Sequence, residues 1–286
     1  MTTASATTPP IVADVHIHTR HSHGQATVEE MVVAARTAGL KVIGFSEHSP
    51  RPEGFCYAQD YQESLNRTYT DYVREVCAFR DELAPQGVQV LLGTEFDYIP
   101  SREDFARQFC SAYDYDYVIG GLHFQGTWGF DASAEEWAGL SRDACYAAYV
   151  RYYQDLTAMC ASGFFNVVAH PDLIKIFSKT TFDSWLEDSA SLALVRQTLT
   201  AAKDNGLAME ISSAGLRKSC NEIYPGPKVM EIARDVQVPI SFGSDAHCTK
   251  TPAYGFDRLA HYAISYGYTH SLVFAGRTPK QIPISL

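Results

Sequence analysis

Much of what this chain lacks narrows what it can be. The cysteines, at positions 56, 77, 110, 145, 160, 220 and 248, include no C-x-x-C pair and are odd in number. Neither a thiolate-rich metal knuckle nor a complete disulfide framework fits them, and they read as reduced thiols of a cytoplasmic protein. No apolar run approaches the roughly 20 residues that a membrane span requires. There is no G-x-G-x-x-G and no Walker loop to cradle a nucleotide. Basic side chains are in deficit, 23 Lys and Arg against 33 Asp and Glu, for a formal charge of −10. A nucleic-acid backbone or an anionic membrane would be repelled by that balance, so neither is expected as a partner. Residues 1–10 have no positively charged or apolar stretch of the kind that opens a signal peptide, and they read as a disordered leader.

Histidine is the residue present in excess. There are ten, four of them between Val15 and His23. Short apolar runs at 11–16, 41–46, 88–93, 115–120, 164–169, 207–211, 238–242 and 271–274 are rich in Val, Ile and Phe without strict alternation, as strands covered on both faces are. Helical patterns lie between them at 28–38, 60–84, 134–161, 182–204 and 226–235. The first opens on a capping box, Thr27 to Glu30, and stops before Gly39. Repeated βα units without a linker predict a single α/β domain over residues 11–286, a parallel barrel with helices outside. A doubly wound open sheet is the alternative.

On that map the ligand-type residues fall at strand ends. Asp14, His16 and His18 close the first strand, Glu47 and His48 follow the second, and Glu95 and Asp97 the third. His123, His170, and Asp245 with His247 follow later strands. In a parallel barrel those ends converge on one face, where active sites are built. Imidazoles and carboxylates without paired thiolates suit zinc, manganese or iron, and so many donors suit two or three ions. His21 and His23 share the first loop; His23 is the preferred ligand, with His21 a substrate contact or a bystander. Glu47, Asp14 and Asp97 are expected to orient ligand histidines. His261 and His270 stand outside the pattern.

These strings resemble the PHP (polymerase and histidinol phosphatase) superfamily. Asp14-Val15-His16-Ile17-His18-Thr19 with Ser22-His23-Gly24 is similar to its opening motif. Ser46-Glu47-His48-Ser49, Gly93-Thr94-Glu95-Phe96-Asp97-Tyr98, His170-Pro171-Asp172 and Ser244-Asp245-Ala246-His247 resemble the later ones, in order. The stretches around His123-Phe124, Asp172-Leu173-Ile174-Lys175 and Ala214-Gly215-Leu216-Arg217-Lys218 resemble the monofunctional histidinol-phosphate phosphatases. The resemblance implies a distorted (β/α)7, TIM-like barrel with a trinuclear site. His16, His18, Glu95 and Asp245 would hold one ion. Glu95 would bridge to a second held by His123 and His170, while His23, His48 and His247 would hold the third.

The activity so implied is metal-dependent hydrolysis of a phosphomonoester, L-histidinol phosphate, in histidine biosynthesis. A hydroxide generated on the ions would attack phosphorus in line. Arg217 would clamp the phosphate and Lys175 would add a point charge. Asp245, His247 or a metal-bound water would return a proton to the leaving alcohol. Asp97, Asp131, Phe124 and Trp128 are candidates for a wall facing the substrate's cationic end. Another PHP phosphoesterase acting on a different small ester, a nucleotide or an oligonucleotide is the nearest rival. A metal-binding module without catalysis and a barrel amidohydrolase are the others.

Overall fold

A computed structural model describes residues 9–286, so most of the expected leader lies outside the described residues. The strands are β1 (Ala13–Ile17), β2 (Val42–Phe45), β3 (Gln89–Leu92), β4 (Glu95–Asp97), β5 (Ile119–Gly121), β6 (Phe124–Gln125), β7 (Trp128–Gly129), β8 (Val167–Val168), β9 (Ala208–Ser212), β10 (Ile240–Gly243), β11 (His270–Ala275) and β12 (Thr278–Pro283). Helices connect the parallel strands, as the alternation predicted, and β1 and β9 are buried along their whole length. That burial on both faces is why the runs show no two-residue alternation.

The parallel strands form two sheets, β1-β2-β3 and β10-β9-β8-β5-β4, instead of the one closed barrel expected. The sheets meet at two narrow seams. At one, Glu95 N donates to Glu47 O at 2.9 Å and Ser49 N to Glu95 O at 2.9 Å. At the other, His18 N donates to Ala246 O at 2.8 Å and Ala246 N to His16 O at 3.2 Å. The second seam stays short because the buried Asp14 carboxylate takes backbone donors there, Ser244 N and Ala253 N, each at 3.0 Å. Asp14 thus ties the first half of β1 to the loop after β10. It contacts backbone, not the imidazole it was expected to orient.

Between the sheets the interior is filled. Tyr117 OH lies 2.7 Å from Val15 O and 3.0 Å from Phe45 O, sharing its one proton between them and joining β1 and β2 from within. Gly44 and Gly93 lie against this ring, and a Cβ on Gly93 would overlap it. The absence of side chains there lets one tyrosine occupy the centre.

Helix boundaries follow local chemistry. The capping box of Thr27 and Glu30 opens the helix Val28–Thr37 as predicted. The expected helix 134–161 is instead Ala134–Ala138 and Arg142–Ala161, because Ser141 caps a new start by accepting from Ala144 N. Asp188 divides 182–204 in the same way, giving Lys179–Trp185 and Ser189–Asp204. Two antiparallel hairpins, β6-β7 and β11-β12, accompany the parallel sheets. β12 occupies most of the C-terminal segment, and Ser285 N donates to Pro10 O at 3.0 Å, fastening the two ends of the described chain. All seven cysteines are free thiols. No helix among the described residues is long and apolar enough to cross a membrane.

Candidate metal centre

The predicted ligands converge on one cavity of about 350 Å³, whose lining includes His23, His48, Glu95, His123, His170, Asp245 and His247. Glu95, at the start of β4, sits at the middle. Its Oε1 lies 3.0 Å from His170 Nε2 and 3.6 Å from His123 Nε2. Its Oε2 lies 3.1 Å from His48 Nδ1, 3.3 Å from His16 Nε2 and 3.4 Å from His18 Nε2. Asp245 Oδ1 completes the far side, 3.4 Å from His18 Nε2 and 3.8 Å from His16 Nε2.

Three groups of donor atoms are close enough to enclose an ion: His16-His18-Glu95, Glu95-His123-His170, and His18-His48-His247. Several of these nitrogens are buried with no hydrogen-bond partner, namely His16 Nε2, both nitrogens of His18, His170 Nδ1 and His247 Nε2. Orphaned polar atoms at such density are costly unless something else satisfies them. Divalent cations fit this donor set, and protein hydrogen bonds do not.

The first loop separates its two uncertain histidines. The His23 ring centroid lies 4.2 Å from that of His247 and 4.9 Å from that of His48. His21 instead turns to Glu75 Oε2, 3.1 Å away, outside the cluster. Glu47 shapes this loop by accepting from Thr19 N, so it orients backbone and no histidine. Burial pushes Glu47 up to about 7.

Two further carboxylates fix ring orientation. Asp97 accepts from His123 Nδ1, turning Nε2 toward Glu95, and it also accepts from Arg51 Nε. Asp97 is therefore committed and does not face a substrate. Glu210, in the middle of β9, accepts from His16 Nδ1 at 2.7 Å and from His170 N at 2.7 Å. Sequence reasoning passed over Glu210 and Arg51. Glu210 did leave a signal, a lone carboxylate in the otherwise apolar run 207–211, which is tolerated in a buried strand only when paired.

Charge in this cluster is divided unevenly. Burial alone would lower His123, but Asp97 outweighs it and raises the imidazole to about 9. His16 is likewise raised against its burial by Glu210 and Glu95. Burial and the neighbouring His247 push His18 down to about 4 and His23 down to about 3. Burial alone would raise Glu95, yet the surrounding imidazoles hold it well below the usual carboxylate range.

The cations expected at the phosphate sit differently. Lys175 Nζ is buried between Asp172 Oδ2 at 2.5 Å and Glu222 Oε2 at 2.7 Å, and it does not line the cavity. Its charge is neutralised there, so it is not the free point charge that was expected. Arg217 Nη2 donates to Ser244 O at 2.7 Å and Asp245 O at 3.0 Å, leaving Nη1 buried without a partner. Lys218, Arg51, Tyr57 and Asp131 line the cavity. Tyr57 OH donates to Asp131 Oδ1 at 2.6 Å, and Phe124 packs on Tyr57 with ring centroids 5.0 Å apart. Trp128 turns its indole N–H to Glu136. His261 and His270 are exposed and stand outside the cluster.

Residues 14–214, the stretch carrying all of these strand ends except the last, match the family model described as PHP domain. The chain belongs to the PHP family. A Deinococcus radiodurans protein named "Probable histidinol-phosphatase" is 34% identical over 244 residues, 82% of this chain and 86% of its own length. The Bacillus subtilis histidinol-phosphatase is 27% identical over 261 residues, 85% of this chain and 96% of its own. A solved structure, the histidinol phosphate phosphatase of Lactococcus lactis subsp. lactis complexed with Zn, L-histidinol and phosphate, superposes with a TM-score of 0.72 at 17% identity, covering 94% of this chain and 98% of that one.

Proposed function

We propose that this PHP protein is a metal-dependent phosphatase that hydrolyses L-histidinol phosphate to L-histidinol and phosphate. The observation that carries the reading is the Glu95 carboxylate, which faces two sets of imidazoles with its two oxygens, His123 and His170 on one side and His16, His18 and His48 on the other. The names of the Deinococcus and Bacillus relatives and the ligands of the Lactococcus structure support the same substrate.

In this reading His16, His18, His23, His48, Glu95, His123, His170, Asp245 and His247 hold two or three ions of zinc, manganese or iron. Such ions lower the pKa of water and draw charge from phosphoryl oxygens, supplying nucleophile and electrophile at neutral pH. The chain's own residues do the rest. Glu210 and Asp97 fix the tautomers of His16 and His123. Asp245 lies in the left-handed region at φ 50°, a conformation that side chains other than glycine rarely adopt and that clusters at functional sites. Arg217 and His247 hold its carbonyl, and Asp245, His247 or a water on the ions would return the proton to the leaving alcohol. Asp131 and Tyr57 face the substrate's cationic end. The cavity suits a small ester and not a polynucleotide. Residues 11–286 act as one catalytic unit, the two sheets serving as a distorted (β/α)7 barrel, and the free thiols fit a cytoplasmic setting.

The test pairs metal analysis with turnover. Glu95→Gln is expected to lose bound metal and phosphate release from L-histidinol phosphate together. Full activity in a metal-free variant would overturn the reading.

A further inference from the structure

With Lys175 neutralised elsewhere, another cation stands in the cavity wall. Arg51 follows β2 in the loop that carries Tyr57, and its side chain is 1% exposed. Asp97 takes only one edge of the guanidinium, through Nε. Nη2 approaches His48 Nδ1 at 3.5 Å, a distance at which a hydrogen bond contributes little. Nη1 is buried and has no hydrogen-bond partner. The guanidinium carbon lies over the rings of Tyr57, Tyr61 and Phe124, at 5.3, 5.8 and 5.5 Å from their centroids. Gln62 Nε2 donates to Arg51 O at 2.8 Å, fixing the backbone from the following helix.

We infer that Arg51 is a substrate contact, an N–H donor to the phosphate of the ester, and that it fills the role the sequence suggested for Lys175. An arginine stays charged at any pH the protein survives, and a buried charged donor without an acceptor is costly. No protein acceptor meets Nη1, and the ions of the centre would repel it. The partner left for it comes from solution, water in the free protein, and the guanidinium charge favours exchanging that water for an anion. Asp97 bridges Arg51 and His123, so the guanidinium is held at the edge of the Glu95-His123-His170 group. A phosphate oxygen entering between ion and arginine meets positive charge from both. The three rings shield the cation from water and hold its plane, so little ordering is left for the moment of binding.

This inference rests on the phosphatase reading, but its test does not require turnover. Inorganic phosphate is titrated by calorimetry into the zinc-loaded full chain, with zinc content and melting temperature recorded for each variant. Arg51→Met is expected to weaken phosphate binding at least tenfold with zinc content unchanged. Arg51→Lys keeps the charge but loses the fork, and a loss of threefold or more is expected. If Arg51→Met does not fold, Arg51→Lys alone decides. Unchanged phosphate affinity in the folded variants overturns the inference, as does a loss of affinity that merely follows a loss of zinc. Wild-type protein that binds phosphate but releases none from L-histidinol phosphate would sink the substrate assignment and leave Arg51 to the titration.

Discussion

His16 and Glu210 are joined in the fully buried interior, Nδ1 donating to Oε1 at 2.7 Å with neither side chain exposed. The bond leaves His16 Nε2 facing Glu95 and Asp245, which is the nitrogen an ion would use. Glu210 also accepts from His170 N, so one carboxylate positions ligands of two donor groups. Glu210→Ala is expected to weaken metal affinity about 10–100-fold, the usual effect of removing a residue that orients a ligand histidine. Competition with a chelator measures it, and an unchanged affinity would contradict the assigned role. Gly243→Ala should act in the same direction, because its Cβ would fall on the Glu210 carboxylate and 2.6 Å from His16 Cβ.

Metal uptake should release protons and strengthen as pH rises. His123 is raised to about 9, so at pH 7 the metal-free ring carries a proton that an ion must displace. His18, at about 4, and His23, at about 3, are already neutral there and release nothing. The sign is therefore fixed: affinity climbs from pH 7 toward pH 9, by up to about tenfold per unit from His123 alone, and His16, also raised by Glu210 and Glu95, acts in the same direction. Chelator-competition titrations at pH 7, 8 and 9 check this. A flat or falling profile would show that His123 enters the site unprotonated.

How far these features could be read in advance depends on where each residue's partner lies. The strand-end histidines were legible because apolar runs locate the strands and parallel topology brings their ends together, whatever their separation in sequence. Asp97 was legible as a carboxylate that orients a histidine, and it does turn His123, but its second partner Arg51 was not; Glu47 was legible only as a carboxylate near the site, since it holds the Thr19 amide and no histidine. Arg51 sits in a loop without periodicity, and nothing local marks it. The closed barrel was overstated because no pattern in β1 reveals that Asp14 replaces backbone pairing beside Ser244. Lys175 was misplaced for a simpler reason. Asp172 lies three residues before it, and the turn between them brings the two charges together.

That pair should matter more for stability than for chemistry. Lys175→Met would leave Asp172, which exposes no surface, facing Glu222 with no cation between them. Removing one partner of a buried ion pair costs about 3–5 kcal/mol, because the other charge is left uncompensated. Adding Asp172→Asn should recover part of the loss by removing that charge. Urea denaturation of the single and double variants gives the comparison, and a single variant as stable as the parent would refute the account.

Arg217 should matter for catalysis through two nitrogens at once. Nη2 pins the carbonyls of Ser244 and Asp245, the second of which sits in the left-handed conformation that aims its carboxylate at His16 and His18. Nη1 is buried and has no partner in the protein, and in the proposed reading it donates to the bound phosphate. Arg217→Ala removes both effects, and kcat/KM for L-histidinol phosphate is expected to fall by about two orders of magnitude or more. Arg217→Lys separates them: an ammonium can keep one carbonyl contact but cannot present a second donor in the same plane. A rise in KM with kcat nearly kept would place Arg217's main effect on the phosphate in the bound complex. A fall in kcat with KM unchanged would place it on Asp245 and the geometry of the reacting state, and wild-type values for Arg217→Ala would remove Arg217 from both roles.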